Sequence, residues 1–172
     1  MKRIYIIGYM GAGKSTLGKS LALHMNLKSI DTDRFIENRY RKKISEIFAA
    51  KGEEHFREIE HRVLQEVSEF EDVIISTGGG LPCFHNNMKI MNDSGVTVYI
   101  EVPVEELVLR LNMSKNVRPV LNGRSGNELK IFVEDSLNIR KPFYEQAQMR
   151  FHVKQTLTKN DIERMAKELE SI

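Results

Sequence analysis

The chain is poor in everything that would brace a secreted or membrane protein. It has one cysteine, Cys83, in 172 residues, so no internal disulfide can form. A single thiol fits a reducing compartment. Cys83 follows Pro82 with no base beside it, which reads as a packed or incidental thiol rather than a nucleophile. No apolar run approaches membrane-spanning length. The first strand-like run begins at Arg3, which leaves no room for a cleavable leader, so a cytoplasmic protein without a membrane partner is expected. Net charge is only +2, too little to argue for a nucleic-acid partner. There is no internal repeat, low-complexity tract or linker, so residues 1–172 read as one domain, long enough for a full core. What is present is an ordinary globular composition, 41% hydrophobic and 29% charged.

Strand-like runs recur near Arg3–Ile7, Lys28–Asp31, Val73–Ser76, Val96–Glu101 and Arg150–Lys154, with helical patterns between them. Phe56, Ile59, Val63, Val67 and Phe70 mark one face of a long helix. Val104, Leu107, Val108 and Leu111 mark another. Thr158 is placed to cap a last helix carrying Ile162, Met165 and Leu169. Strands alternating with helices predict an α/β protein, a three-layer sandwich around a mostly parallel sheet of about five strands. Ligands bind such sheets at the carboxyl ends of the strands.

At the end of the first run stands Gly8-Tyr9-Met10-Gly11-Ala12-Gly13-Lys14-Ser15, which satisfies G-x-x-x-x-G-K-[ST] between a strand and a helix. Its glycines allow backbone N–H groups to converge on an anion at the positive end of the helix dipole. Lys14 is placed to reach β- and γ-phosphates, and the Ser15 hydroxyl to ligate Mg²⁺.

The other candidates are weaker singly. Asp31 and Asp33 close the second strand. They either serve a metal and an attacking hydroxyl, or cap a helix starting near Phe35, for which Asp33 is well placed. Arg57 precedes Glu60 by three positions. A braced guanidinium could grip a carboxylate, but in isolation the pair reads as a surface ion pair. Val73–Ser76 occupies the place of a Walker B strand yet ends in Gly78-Gly79-Gly80 rather than Asp; three glycines favour a backbone bared to a ligand. Asn112 to Gly126 has little apolar periodicity and carries Lys115, Arg118 and Arg124, which reads as a lid, or otherwise as a disordered surface loop. Arg140 alone is an unremarkable surface residue.

In order and spacing these segments resemble the shikimate kinase family over nearly the whole length. The family pattern is G-x-M-G-[AS]-G-K-[ST], D-x-D, F-R-x-x-E, a glycine triplet, R-P-L-[LV] and R-x-x-x-Y. The chain offers Gly8 to Ser15, Asp31 with Asp33, Phe56-Arg57 with Glu60, Gly78 to Gly80, Arg118-Pro119-Val120-Leu121, and Arg140 with Tyr144. The resemblance implies a nucleoside-monophosphate-kinase-like fold, with a substrate-binding segment at about 33–61 and a mobile lid at about 112–126. It implies transfer of the ATP γ-phosphoryl group to the 3-hydroxyl of shikimate, with Mg²⁺, by a monomer. ATP would contact Gly11, Ala12, Gly13, Lys14, Ser15, Thr16 and Arg118. Ser15 and Asp31 would serve the metal. Asp33, Arg57, Gly78, Gly79, Gly80 and Arg140 would bind substrate, and Asp33, Lys14 and Arg118 would be catalytic. The adenine-side loop is expected near Lys154 to Thr158.

Rival readings fit less of the chain. Another small-molecule kinase, such as a gluconate kinase, would not explain the triplet with two carboxylate-gripping arginines. A GTPase would carry D-x-x-G, which occurs nowhere, so Thr158-Lys159-Asn160-Asp161 reads as a helix cap. His55 and His61 lack the spacing of a helical zinc pair.

Overall fold

The computed structural model describes residues 2–114, 121, 123–155 and 157–172. Five strands form one parallel sheet: β1 (Arg3–Ile7), β2 (Lys28–Asp31), β3 (Val73–Ser76), β4 (Val96–Glu101) and β5 (Met149–His152), in the order β2-β3-β1-β4-β5. The near-continuous apolar strands β1, β3 and β4 are the inner three, because only a strand covered on both faces can be apolar at every position. β2, which reads Lys-Ser-Ile-Asp, lies at an edge. β5 begins and ends earlier than Arg150–Lys154; past His152 the Val153 amide still reaches the Glu101 carbonyl, at 2.9 Å.

The helices are α1 (Lys14–His24), α2 (Thr32–Tyr40), α3 (Ile44–Val67), α4 (Asn87–Ser94), α5 (Val104–Met113), α6 (Gly126–Tyr144) and α7 (Lys159–Glu170). Right-handed crossovers put α1 and α7 on one face and α3 to α6 on the other. The expected α/β sandwich is therefore observed. The apolar face read from the sequence holds through Phe56, Ile59, Val63 and Val67, all buried. Phe70 falls outside it: α3 ends at Val67, and the Phe70 ring packs edge-on against Phe35, centroids 6.4 Å apart. α3 also bends at Gly52, whose φ of 78° is left-handed. Thr158 caps α7 as expected, accepting from the Asp161 amide.

The start of α2 differs from expectation. Asp31, not Asp33, is the cap; its carboxylate accepts from the Arg34 amide at 3.1 Å and the helix begins at Thr32. The strand runs into its helix without a loop, so the last strand residue becomes the cap and Asp33 is left in the first turn. Among the described residues no helix is long and apolar enough to cross a membrane.

Candidate active site

The site stands where β1, β2 and β3 end together. Gly8, Gly11 and Gly13 all have positive φ, and Gly13 is the left-handed residue from which α1 starts. That geometry turns the 8–15 loop back over the sheet and aims the first amides of α1 into a cavity of about 310 Å³. Lys14 is buried, and its ammonium donates to the Tyr9 carbonyl at 2.9 Å. Gly11, Gly13, Ser15, Thr16, Asp31, Asp33 and Gly79 line the same cavity.

Asp31 has a second role besides capping. The Ser15 hydroxyl donates to its other carboxylate oxygen. Two oxygen donors thus meet at the cavity wall, the chemistry that Mg²⁺ selects when phosphates and water complete its shell. No cluster of three or more His, Cys, Asp or Glu side chains suited to a metal occurs among the described residues, so the protein would supply no complete cage. His61, which the spacing argued against as a zinc ligand, faces Asn87 Oδ1 at 2.7 Å.

The glycine triplet matters for room rather than for torsion, since none of its three residues has positive φ. A Cβ on Gly78 would lie 2.6 Å from Asp33 Oδ1 and 2.9 Å from Glu60 Oε1. On Gly79 it would press the P-loop backbone at the Met10 nitrogen, 3.1 Å away. On Gly80 it would lie 2.6 Å from Arg57 Nη1. Four groups, from α2, α3 and the P-loop, thus close onto one stretch of bare main chain. Thr32 fastens it by accepting from the Gly78 amide at 2.9 Å, and Tyr144 by donating to the Gly79 carbonyl at 2.6 Å.

Arg57 and Glu60 are not the surface pair that their spacing suggests in isolation. Arg57 is 7% exposed and Glu60 1%. Nη1 meets Glu60 Oε2 at 2.6 Å, while Nη2 and Nε meet Glu53 Oε1 at 2.6 and 3.1 Å. The guanidinium also lies over the Phe84 ring, 4.2 Å from its centroid. Burial works against the Arg57 charge, but Glu60 and Glu53 more than offset it and hold Arg57 charged beyond its ordinary range. Burial likewise pushes the Glu60 carboxyl up to about 7, against the pull of Arg57; Asp33 pushes the same way as burial, and Arg140 against it. Glu60 therefore stands between both arginines and Asp33. Cys83 lies beside them, its thiol pushed up to about 11 by burial, which keeps it protonated.

Several residues here were not legible as functional. Arg110 donates to the carbonyls of Gly11 and Ala12 at 3.3 and 3.2 Å, and to that of Gln155 at 2.7 Å. It anchors the segment expected on the adenine side to the P-loop. Its one sequence signal was a glutamate, Glu106, four residues before it, and the two are paired at 2.7 Å. Thr32, Tyr9 and Phe84 gave no signal. Arg118, with the rest of 115–120, lies outside the described residues; so does Thr156 in the adenine-side loop.

A parallel α/β sheet with a P-loop, two acids and two arginines at one end defines a P-loop kinase-like protein. The family model for shikimate kinase matches residues 10–170. A shikimate kinase of Parabacteroides distasonis is 57% identical over 94% of this chain and 94% of its own. The crystal structure of the Bacteroides thetaiotaomicron shikimate kinase superposes with a TM-score of 0.91 at 45% identity, covering 99% and 97% of the two chains. That of the Acinetobacter baumannii enzyme in complex with shikimate gives 0.87 at 31%, covering 99% and 92%. The chain belongs to the shikimate kinase family.

Proposed function

We propose that this protein transfers the γ-phosphoryl group of ATP to the 3-hydroxyl of shikimate, giving shikimate 3-phosphate and ADP for aromatic amino-acid biosynthesis. The observation that carries the reading is one bare glycine backbone, with the buried, permanently charged Arg57 at Gly80, Asp33 at Gly78 and the P-loop main chain at Gly79. One anion clamp, one carboxylate and one phosphate cradle are the parts that phosphoryl transfer to a hydroxy-acid needs.

In this reading the amides of Gly11 to Thr16 and the Lys14 ammonium hold the phosphates. Ser15 and Asp31 hold Mg²⁺, which offsets phosphate charge when bound. Arg57 and Arg140 grip the shikimate carboxylate. Glu53 is the exchangeable partner of Arg57: its side chain is 56% exposed, so water solvates it once a substrate carboxylate displaces it. Glu60 is buried and stays as the brace. Asp33 accepts from the attacking hydroxyl, and Gly78, Gly79 and Gly80 admit the ring against main chain. Residues 33–61 form the substrate-binding segment and 112–126 the lid, which brings Arg118 to the nucleotide phosphates. The whole acts as one domain, as a monomer and in the cytoplasm.

The test is ADP release from Mg-ATP with shikimate, and with gluconate as control, for the parent and for Asp33→Asn. Turnover that requires shikimate, with kcat reduced at least about 100-fold in the variant and ATP affinity retained, is expected. Turnover with gluconate, or a variant that loses ATP affinity but keeps kcat, would overturn the acceptor site or the role of Asp33.

A further inference from the structure

We infer that Tyr9, inside the P-loop, is a positioning residue for substrate: its ring is the seat that holds the Arg140 guanidinium ready for the carboxylate. The inference rests on the reading of Arg140 as part of the clamp.

Tyr9 is 1% exposed although it belongs to a glycine-rich loop at the mouth of a cavity. Its three parts meet three different groups. The main-chain carbonyl accepts from Lys14 Nζ at 2.9 Å. The hydroxyl donates to Ser136 Oγ at 3.0 Å, and the Arg140 guanidinium lies over the ring, 5.4 Å from its centroid. Ser136 and Arg140 are four residues apart on α6, hence on one face of that helix. The hydroxyl fixes the ring against this face, and the ring then lies under the next turn. One turn further on the same face, the Tyr144 hydroxyl donates to the Gly79 carbonyl at 2.6 Å. α6 is thus tied to the P-loop at one turn and to the glycine triplet two turns later, with Arg140 between.

An arginine that is only half-buried has many rotamers, and binding must pay for ordering it. A ring beneath the guanidinium removes part of that loss beforehand and adds the attraction of a cation for a π face. The bond from Lys14 goes to the main-chain carbonyl of Tyr9, which a side-chain substitution leaves in place. Loss of the ring should therefore weaken substrate binding and spare the nucleotide.

Initial rates for Tyr9→Leu, Tyr9→Phe, Arg140→Ala and the pair Tyr9→Leu/Arg140→Ala decide it, with a thermal melt of each. Tyr9→Leu is expected to raise the shikimate KM about fivefold, the size of an ordinary cation–π contact, with the ATP KM changed less than about twofold. Tyr9→Phe, which keeps the ring, should recover most of the loss. The double variant should be no worse than Arg140→Ala, because the seat then has nothing to hold. If Arg140→Ala leaves the shikimate KM unchanged, the clamp reading fails and this inference with it. If Arg140→Ala raises it and Tyr9→Leu does not, only the seat is overturned. Equal rises in both KM values, or Tyr9→Phe as damaging as Tyr9→Leu, would make Tyr9 a fold residue and overturn the seat as well.

Discussion

Glu60 carries the most informative charge in the protein. It is buried and bonded to Arg57, and its carboxyl is pushed up to about 7 by burial. The ordinary value is 4.5, so between 4.5 and about 7 the folded chain holds a proton that the unfolded chain has released. Stability from this group is then fully present below pH 4.5 and is lost as the pH rises through about 7. The Tm of the parent minus that of Glu60→Gln should accordingly be largest near pH 5 and shrink by pH 8, because glutamine does not titrate. A constant difference across that range would show that Glu60 is charged throughout. This fits the general finding that a buried ion pair need not stabilise relative to a neutral substitute. Glu60 is retained, in this account, because it fixes where the Arg57 fork points.

At the scale of the element, the stretch from β3 through Gly78 to Gly80 is the part most sensitive to added volume. A methyl group on Gly80 meets Arg57 Nη1 at 2.6 Å and Cζ at 2.8 Å. The guanidinium cannot yield cheaply, since Glu60 holds one side and the Phe84 ring centroid lies 4.2 Å from it. Gly80→Ala should therefore raise the shikimate KM about tenfold, the equivalent of ~1.4 kcal/mol. The ATP KM should move little, because Gly80 faces the clamp rather than the P-loop. An unchanged shikimate KM would mean that Arg57 is not held where the clamp requires it. The junction of β2 and α2 follows the same logic of economy. With no loop between strand and helix, Asp31 both caps α2 and takes the Ser15 hydroxyl, while the first turn carries Asp33 toward Gly78.

Across the whole molecule, the cavity at the P-loop is lined by residues of the loop, α1, β2, α2 and α5, so binding there should stabilise the fold as a unit. At about 100-fold excess over Kd, Mg-ATP should add about 2.7 kcal/mol, a rise in Tm on the order of 5–10 °C. Removal of the metal with EDTA should erase most of that rise; a rise that survives chelation would remove Ser15 and Asp31 from metal binding. At this scale the limits of the sequence also become plain. All five strands, the last with shifted bounds, the P-loop and the α7 cap were legible, because each depends on local pattern: apolar runs, glycines that permit positive φ, a threonine before a helix. The family motifs were legible as an ordered set for the same reason. The end of α3 before Phe70 and the exchange of cap from Asp33 to Asp31 were not, since a boundary depends on what the next element packs against. Nor was the burial of Arg57 and Glu60, whose spacing reads the same on a wet face and a dry one. Nor were the meetings of Tyr9 with α6 and of Arg110 with Gln155, which join residues about 130 and 45 positions apart. The sequence by itself determined which chemistry the chain can carry. Only the tertiary structure decided which charges are dry, which glycines give room rather than a turn, and which distant side chains hold the clamp, because desolvation and contact are properties of neighbours in space.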